Sequence, residues 1–434
     1  MISKTDVKKM KSLKHLFFFC FVLFSNIVSA QHVNSITLEQ CYQLAETNYP
    51  LTKQRELIEK TKEYNIDNIT KGVYPQLNIN GSGTYQSDVT KFAISIPGVN
   101  VNVPSIPKDQ YKLYGEVSQT LTDFGINKRR REISATDAAV QQENINTQLY
   151  ALKDRINQLF FGVILIDGQL EQNDLSKKDI QTGINNVQAR INNGTDFNSN
   201  LNKLKAQLLQ VGQRDIDLKA SRKAYTDMLS LFINKMVDES TTLEKPNVPI
   251  LSDSISRPEL NVYNLQTSSY LQQEKLTKRN LYPKLDAFFQ GGLGQPSPVN
   301  FFSTNLSGYY IAGLRLSWGI GSLYTYKKDL LINKNNRDIV ESQKNTFVFN
   351  TQLSLKQENA DIKRYEQLIQ SDNDIINLRQ SVKQSSAAQL QNGVITANDY
   401  LTDVNAEAQS RQDRVLHEVQ LLMSQYNHKT TAGN

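Results

Sequence analysis

The chain has 434 residues, of which 39% are hydrophobic and 21% charged, with 2 Cys and 4 His. These counts exclude a disulfide-stapled domain, a Cys/His zinc module and a polytopic helical membrane protein. The 19 Tyr and 17 Phe argue against a disordered chain.

The N-terminal segment explains most of the net charge of +6. Residues 1–30 contribute +4 of it, so the remainder carries only +2 and gives no sign of nucleic-acid binding. Four lysines precede an apolar run over 16–24, and small residues follow at 28–30. This order predicts a signal peptide over 1–30 and an exported protein. A retained anchor helix is the alternative, although nine apolar residues are too few to span a bilayer.

Two Gly-rich windows, 72–125 and 285–321, alternate apolar and polar side chains. The alternation predicts strands at about 75–86, 111–122, 284–293 and 309–318. Strands of about ten residues with one apolar face are typical of transmembrane β-strands. Soluble strands that cover a small core are the alternative interpretation.

Long stretches without Pro separate these windows and carry apolar residues in heptads, as from Ala138 to Ile166. A sustained repeat of this kind indicates coiled-coil helices. We therefore predict long helices over 126–234 and 320–429. The fold class is mainly α with β, in which long coiled-coil helices alternate with four strands per chain.

The chain is an internal duplication. Residues 73–77 (VYPQL) match 281–285 (LYPKL), and Asn193-Gly194 matches Asn392-Gly393, where each Gly is suited to end a helix. The predicted organisation after the signal peptide is a first repeat over 31–234, an inter-repeat segment over 235–257, a second repeat over 258–429 and a tail over 430–434.

Four strands are too few to close a barrel, and an open sheet edge cannot face lipid because its backbone groups would lack hydrogen-bond partners. Several chains are therefore expected to build one barrel, and three chains would supply twelve strands.

Several motifs in this order resemble the TolC-type outer-membrane efflux protein family. They are 36–41 (ITLEQC) with 48–50 (NYP), the two Tyr-Pro-x-Leu strand entries, 122–125 (TDFG), 317–319 (SWG) and the two Asn-Gly helix ends. The chain departs from the family pattern at Cys41 and in the lack of an acidic residue beside Trp318. The resemblance covers residues 36–429.

The resemblance implies a homotrimer with one 12-stranded barrel in the lipid of the cell outer membrane and a helical barrel in the periplasm. It also implies partners, namely a periplasmic adaptor protein and an inner-membrane pump or exporter. The function implied is a passive exit duct of a tripartite efflux or type I secretion system. The alternative is a periplasmic adaptor or exported coiled-coil scaffold that never enters the membrane.

In the family, the coiled-coil tips close the periplasmic entrance, and we expect the tips near 165–172 and 364–371. The entrance candidates are the charged residues around these ranges: Asp167, Glu171, Asp174, Lys363, Arg364, Glu366, Asp372 and Asp374. Threefold symmetry would turn each carboxylate into a ring of three, which is suited to hold cations. The alternative is that they are ordinary solvated charges.

Lys112, Glu116, Arg315 and Ser317 fall on the polar faces of the predicted strands and are the candidates for the barrel lumen. The alternative is an inert position at the water interface. We predict no enzyme activity and no catalytic, cofactor or metal site. Cys41 has the spacing of a core residue, and His417 is expected to be an isolated surface residue.

Overall fold

The computed structural model describes residues 35–89, 105–300 and 303–434. The predicted signal peptide lies outside the described residues. The helices are α1 (Leu38–Asn48), α2 (Lys53–Lys71), α3 (Ile126–Tyr150), α4 (Leu152–Asn192), α5 (Asn198–Ile233), α6 (Pro258–Arg279), α7 (Ser322–Gln391) and α8 (Ala397–Ala432). The strands are β1 (Ser35–Ile36), β2 (Gln76–Tyr85), β3 (Asp109–Thr122), β4 (Thr242–Leu243), β5 (Lys284–Gln295) and β6 (Ser307–Ser317).

The chain forms two compact units, and each draws on both predicted repeats. The helical unit contains the described residues up to Tyr49, Ala151–Ser252 and Leu355–Thr430. The sheet unit contains Pro50–Tyr150, Asp253–Ser354 and Thr431–Asn434. Among the described residues, no helix combines the length and the apolar character needed to cross a membrane.

The helices begin and end largely where their sequence signals lie. Thr37 caps α1, because its side chain accepts a hydrogen bond from the Gln40 backbone N–H while the Gln40 side chain binds back to Thr37. Gly194 and Gly393 adopt φ values of +73° and +75° directly after α4 and α7, so both predicted Asn-Gly helix ends are confirmed. In contrast, α8 continues to Ala432, so the tail predicted from 430 is helical as far as 432.

The predicted heptads form the core of the helical unit. In α4, the apolar positions Leu152, Ile156, Leu159, Val163 and Ile166 are all buried. Further along α4, Ile180, Ile184 and Val187 join one cluster with residues of α5, α7 and α8, including Leu204 and Val404. The seam between the helices therefore has the spacing that a coiled coil requires.

Helix α4 approaches its neighbours closely because three of its residues are glycines. A Cβ atom on Gly162 or Gly183 would meet the ring of Tyr225 or Tyr400, and one on Gly168 would lie 2.6 Å from Cγ1 of Val415. Gly168 therefore makes room for α8 in the middle of α4.

The four longer strands form one antiparallel sheet in the sheet unit, in the order β2-β3-β5-β6. This confirms the four predicted strands. Strands β2 and β6 are the two edges of the sheet. The hairpins of the first and second repeats meet where β3 pairs with β5, with Tyr111 opposite Gln295 and Val117 opposite Phe289.

We predict that Gly168→Ala destabilises the protein by about 1–3 kcal/mol, because a branched valine side chain must move to admit the new methyl group. The matched control is Gly212→Ala in α5, where no atom lies within 4 Å of the added Cβ. The control is expected to stabilise its helix by about 0.5–1 kcal/mol. Unfolding curves of the purified protein in detergent measure both; equal effects would contradict the packing role of Gly168.

Candidate functional sites

The sheet register places the four predicted lumen residues on one face. Glu116 is opposite Gln290, Lys112 is opposite Gly294, Arg315 is opposite Asp286 and Ser317 is opposite Lys284. Because successive side chains of a strand point to opposite sides, these positions and their partners share the polar face of the sheet. The prediction that they lie on a polar face therefore agrees with the register.

Two of these residues form an ion pair across the strands. Nη1 of Arg315 lies 2.9 Å from Oε1 of Glu116, and the Gln290 side chain also donates a hydrogen bond to this carboxylate. The Arg315 guanidinium lies 4.5 Å from the ring centroid of Phe288, a cation–π arrangement. Glu116 and Arg315 therefore neutralise each other and do not act as separate charges.

The opposite face of the sheet is apolar and exposed in the single chain. Leu77, Ile79 and Leu314 retain 68%, 77% and 67% exposure, and Leu113 and Phe289 are also exposed. These side chains lie on adjacent strands in matching register. An apolar surface of this extent marks a membrane or protein contact, and within the described chain no soluble core covers it.

The expected positions of the hairpin tips are wrong. Residues 165–172 and 364–371 lie inside the continuous helices α4 and α7. The chain reverses at 193–197, between α4 and α5, and at 392–396, between α7 and α8. The physical signal for reversal is the left-handed glycine in each turn, at 194 and 393.

Most of the entrance candidates are paired or exposed on helix surfaces. Asp167 accepts a hydrogen bond of 2.6 Å from Nε of Arg222, which also binds the carbonyl of Thr241. Asp174 pairs with Lys177 at 3.3 Å, and Arg364 pairs with Asp361 at 3.1 Å, both one turn along the same helix. Asp174 and Arg364 are also exposed, as are Glu171, Lys363, Glu366 and Asp374, which form no ion pair among the described residues. Their role at an entrance stays a prediction.

Asp372 differs from the other candidates because it is buried. Its Oδ2 lies 2.7 Å from Nδ1 of His417, and only 10% of the Asp372 side chain is exposed. Tyr365 packs beside the same imidazole, with ring centroids 6.1 Å apart. His417 therefore connects α8 to α7, and the expectation of an isolated surface histidine is wrong. No local pattern signals the pair, because its members lie 45 residues apart.

Arg190 connects the two turns. Its Nη1 donates a hydrogen bond of 2.7 Å to the carbonyl of Leu390 at the end of α7. Its Nη2 contacts the carbonyl of Thr195 at 3.3 Å, and the guanidinium lies 3.4 Å from the carboxylate of Asp196. One guanidinium with several donors in a fixed fork thereby holds the 193–197 and 392–396 turns together.

Cys41 is part of the core of the helical unit. It is fully buried, and burial raises the pKa of its thiol to about 12. The thiolate, which is the nucleophilic form, is therefore negligible at neutral pH. Among the described residues, no group of three or more His, Cys, Asp or Glu side chains is arranged to hold a metal ion.

Several solved structures share the fold of this chain over nearly its whole length. They include CusC (TM-score 0.66, 14% identity, 92% of both chains) and the outer membrane protein VceC from Vibrio cholerae (TM-score 0.64, 12% identity, 92% of this chain and 96% of that one). The open-state MtrE outer membrane channel of Neisseria gonorrhoeae has a TM-score of 0.64 and 13% identity, over 91% of this chain and 89% of that one. The chain has the TolC-type outer-membrane channel fold. No family model and no curated protein matches its sequence.

Within this TolC-type fold, we predict that His417→Ala lowers the free energy of unfolding by about 1–3 kcal/mol, because the buried Asp372 carboxylate loses its partner. His417→Asn places an amide near the position of Nδ1 and is expected to recover much of the loss. Asp374→Ala, two residues away and exposed, serves as the control and should change stability by less than about 0.5 kcal/mol. Denaturant titration in detergent measures all three. Equal losses for His417→Ala and Asp374→Ala would contradict the pairing.

We further predict that Arg190→Ala loosens the turns of the TolC-type fold. Loss of the charge-assisted hydrogen bonds should raise amide exchange rates at 193–197 and 392–396 by about tenfold. Lys178→Ala, an exposed position on the same helix, is the control. Exchange rates in both turns that match the control would refute the role of Arg190.

Proposed function

We propose that this chain is the outer-membrane channel of a tripartite efflux or type I secretion system and that it works as a homotrimer. The observation that carries the proposal is the sheet, which has one exposed apolar face, one polar face and two edges. Such a sheet fits a piece of a barrel whose outside contacts lipid and whose inside contacts water.

Three copies supply twelve strands, the number that the resemblance to TolC-type channels implies for one barrel. In this assembly, β6 of one copy pairs with β2 of the next, which satisfies the backbone groups on both edges. The exposed apolar face then becomes the outer surface. The long helices continue as a tunnel on the periplasmic side, and the chain acts as a passive conduit that takes its direction and energy from an inner-membrane pump.

The 193–197 and 392–396 turns form the periplasmic end in this proposal. Each turn carries one strongly exposed apolar side chain, Phe197 at 77% and Val394 at 72%. These two side chains are the exposed apolar surface that the turns offer to a partner. We propose that a periplasmic adaptor protein binds here, while the half-buried Asp167–Arg222 pair and the buried Asp372–His417 pair hold the helices in position.

Cell fractionation and channel recording test the proposal together. The expected result is a heat-modifiable, trimer-sized band in the outer-membrane fraction and discrete conductance steps in planar bilayers. Recovery as a soluble monomer, or as a periplasmic scaffold without conductance, would overturn it.

We predict that Ile79→Arg blocks membrane assembly, because an arginine on the lipid-facing side of a barrel costs about 2–4 kcal/mol near the bilayer midplane. Asn80→Arg, the next residue on the same strand, points to the polar face and is the matched control. The amount of trimer in the outer-membrane fraction measures both. Equal yields from the two variants would contradict the assignment of faces.

A further inference from the structure

The polar face of the sheet carries five charged side chains, and four of them are paired. Glu116 and Arg315 form one pair at 2.9 Å. Lys284 and Asp286 form another at 3.1 Å, and Asp286 also accepts a hydrogen bond of 2.8 Å from Thr120. These two pairs contribute no net charge to this face.

Lys112 is the fifth charge, and it has no such compensation. In the register, its neighbours are Ser82 on β2 and Gly294 on β5, both small and uncharged. Ser307, one strand further, is also neutral. Within the described parts of the chain, the Lys112 ammonium has neither an ion pair nor a hydrogen bond. It is therefore the net charge of the polar face, with a value of +1 per chain.

We infer that Lys112 makes the sheet region of the channel selective for anions. The inference rests on the proposed trimer, in which three copies place three ammonium groups at one level of the lumen. A ring of lysines concentrates anions and repels cations, because a pore with low-dielectric walls screens charges weakly. The class of solute favoured at this level is small anions, including those that carry phosphate or carboxylate groups.

The alternative source of selectivity is the set of paired charges, of which the sequence analysis names Glu116 and Arg315 as lumen candidates beside Lys112. Their pairing argues against them. Glu116 is held by both Arg315 and Gln290, so its field is largely cancelled at the distance of a passing ion. Lys112 alone leaves a field of one sign on this face.

The test is the reversal potential of the trimer in planar bilayers under a KCl gradient. We expect Lys112→Gln to lower the chloride-to-potassium permeability ratio by about twofold or more, and Lys112→Glu to lower it further. Lys112→Arg keeps the charge and should keep the ratio. Inorganic pyrophosphate is expected to reduce the wild-type current and to lose this effect in Lys112→Gln.

Moving the positive charge to a neighbouring residue tests whether selectivity depends on a charge at this level of the lumen or on residue 112 itself. Ser82 lies directly opposite Lys112, so the double variant S82K/K112Q returns a lysine to the same level and should restore the ratio. Ser82→Glu offers a second route, because a carboxylate opposite Lys112 should neutralise it and mimic Lys112→Gln.

The outcomes distinguish the two levels of the proposal. Conducting channels whose permeability ratio is unchanged in Lys112→Gln, Lys112→Glu and Ser82→Glu would overturn the role of Lys112 and leave the channel function intact. A wild-type protein that forms no conducting trimer would overturn the proposed function itself.

Discussion

The backbone groups along β2 and β6 impose the constraint on which the rest of the architecture depends. Each strand has a hydrogen-bonded neighbour on only one side among the described residues. An edge of ten or more residues invites pairing with another chain, and in a hydrocarbon environment an unpaired edge is too costly to persist. The sheet between these edges also has one apolar face. Pairing of each edge with another copy of the chain is the simplest way to satisfy the backbone groups of both edges.

The strands and the helices each place apolar side chains on one side only, but their side chains repeat with different periods along the sequence. In a strand, successive side chains point to opposite faces, so Ile79 and Asn80 lie on different sides and a single strand can contact lipid and water at once. In a coiled-coil helix, a heptad repeat buries only about two positions in seven, so the helix can pack along its length while much of its surface stays polar. This economy accounts for the low hydrophobic fraction of 39% in the chain.

Sequence periodicity was sufficient for the regular elements. The alternation around Leu113 and Leu314 places the strands within a few residues of β3 and β6, and the heptads identify buried positions such as Ile156 and Val163. These patterns report local geometry, in which neighbouring residues along one strand or helix share a face. Local patterns of this kind are therefore enough to predict the fold class.

The candidate functional sites depend on contacts between residues far apart in the sequence, which local patterns do not encode. The Glu116–Arg315 pair joins residues 199 positions apart, and it exists because β3 and β6 each pair with β5 in one particular register. The tip positions expected near 165–172 and 364–371 are wrong for a related reason: a heptad repeat is the same along its whole length and does not mark where the chain turns. Gly194 and Gly393 are the signals that mark the turns, and the chain reverses directly at them.

Disulfide trapping between sheet edges tests the central claim most directly. One cysteine replaces Asn80 on β2, and a second is scanned over positions 309, 311 and 313 on β6, since the native Cys41 is buried. The account predicts that at least one pair cross-links neighbouring chains in the outer membrane and yields a ladder that stops at three. The absence of cross-links at every position, or a ladder that continues beyond three, would contradict it.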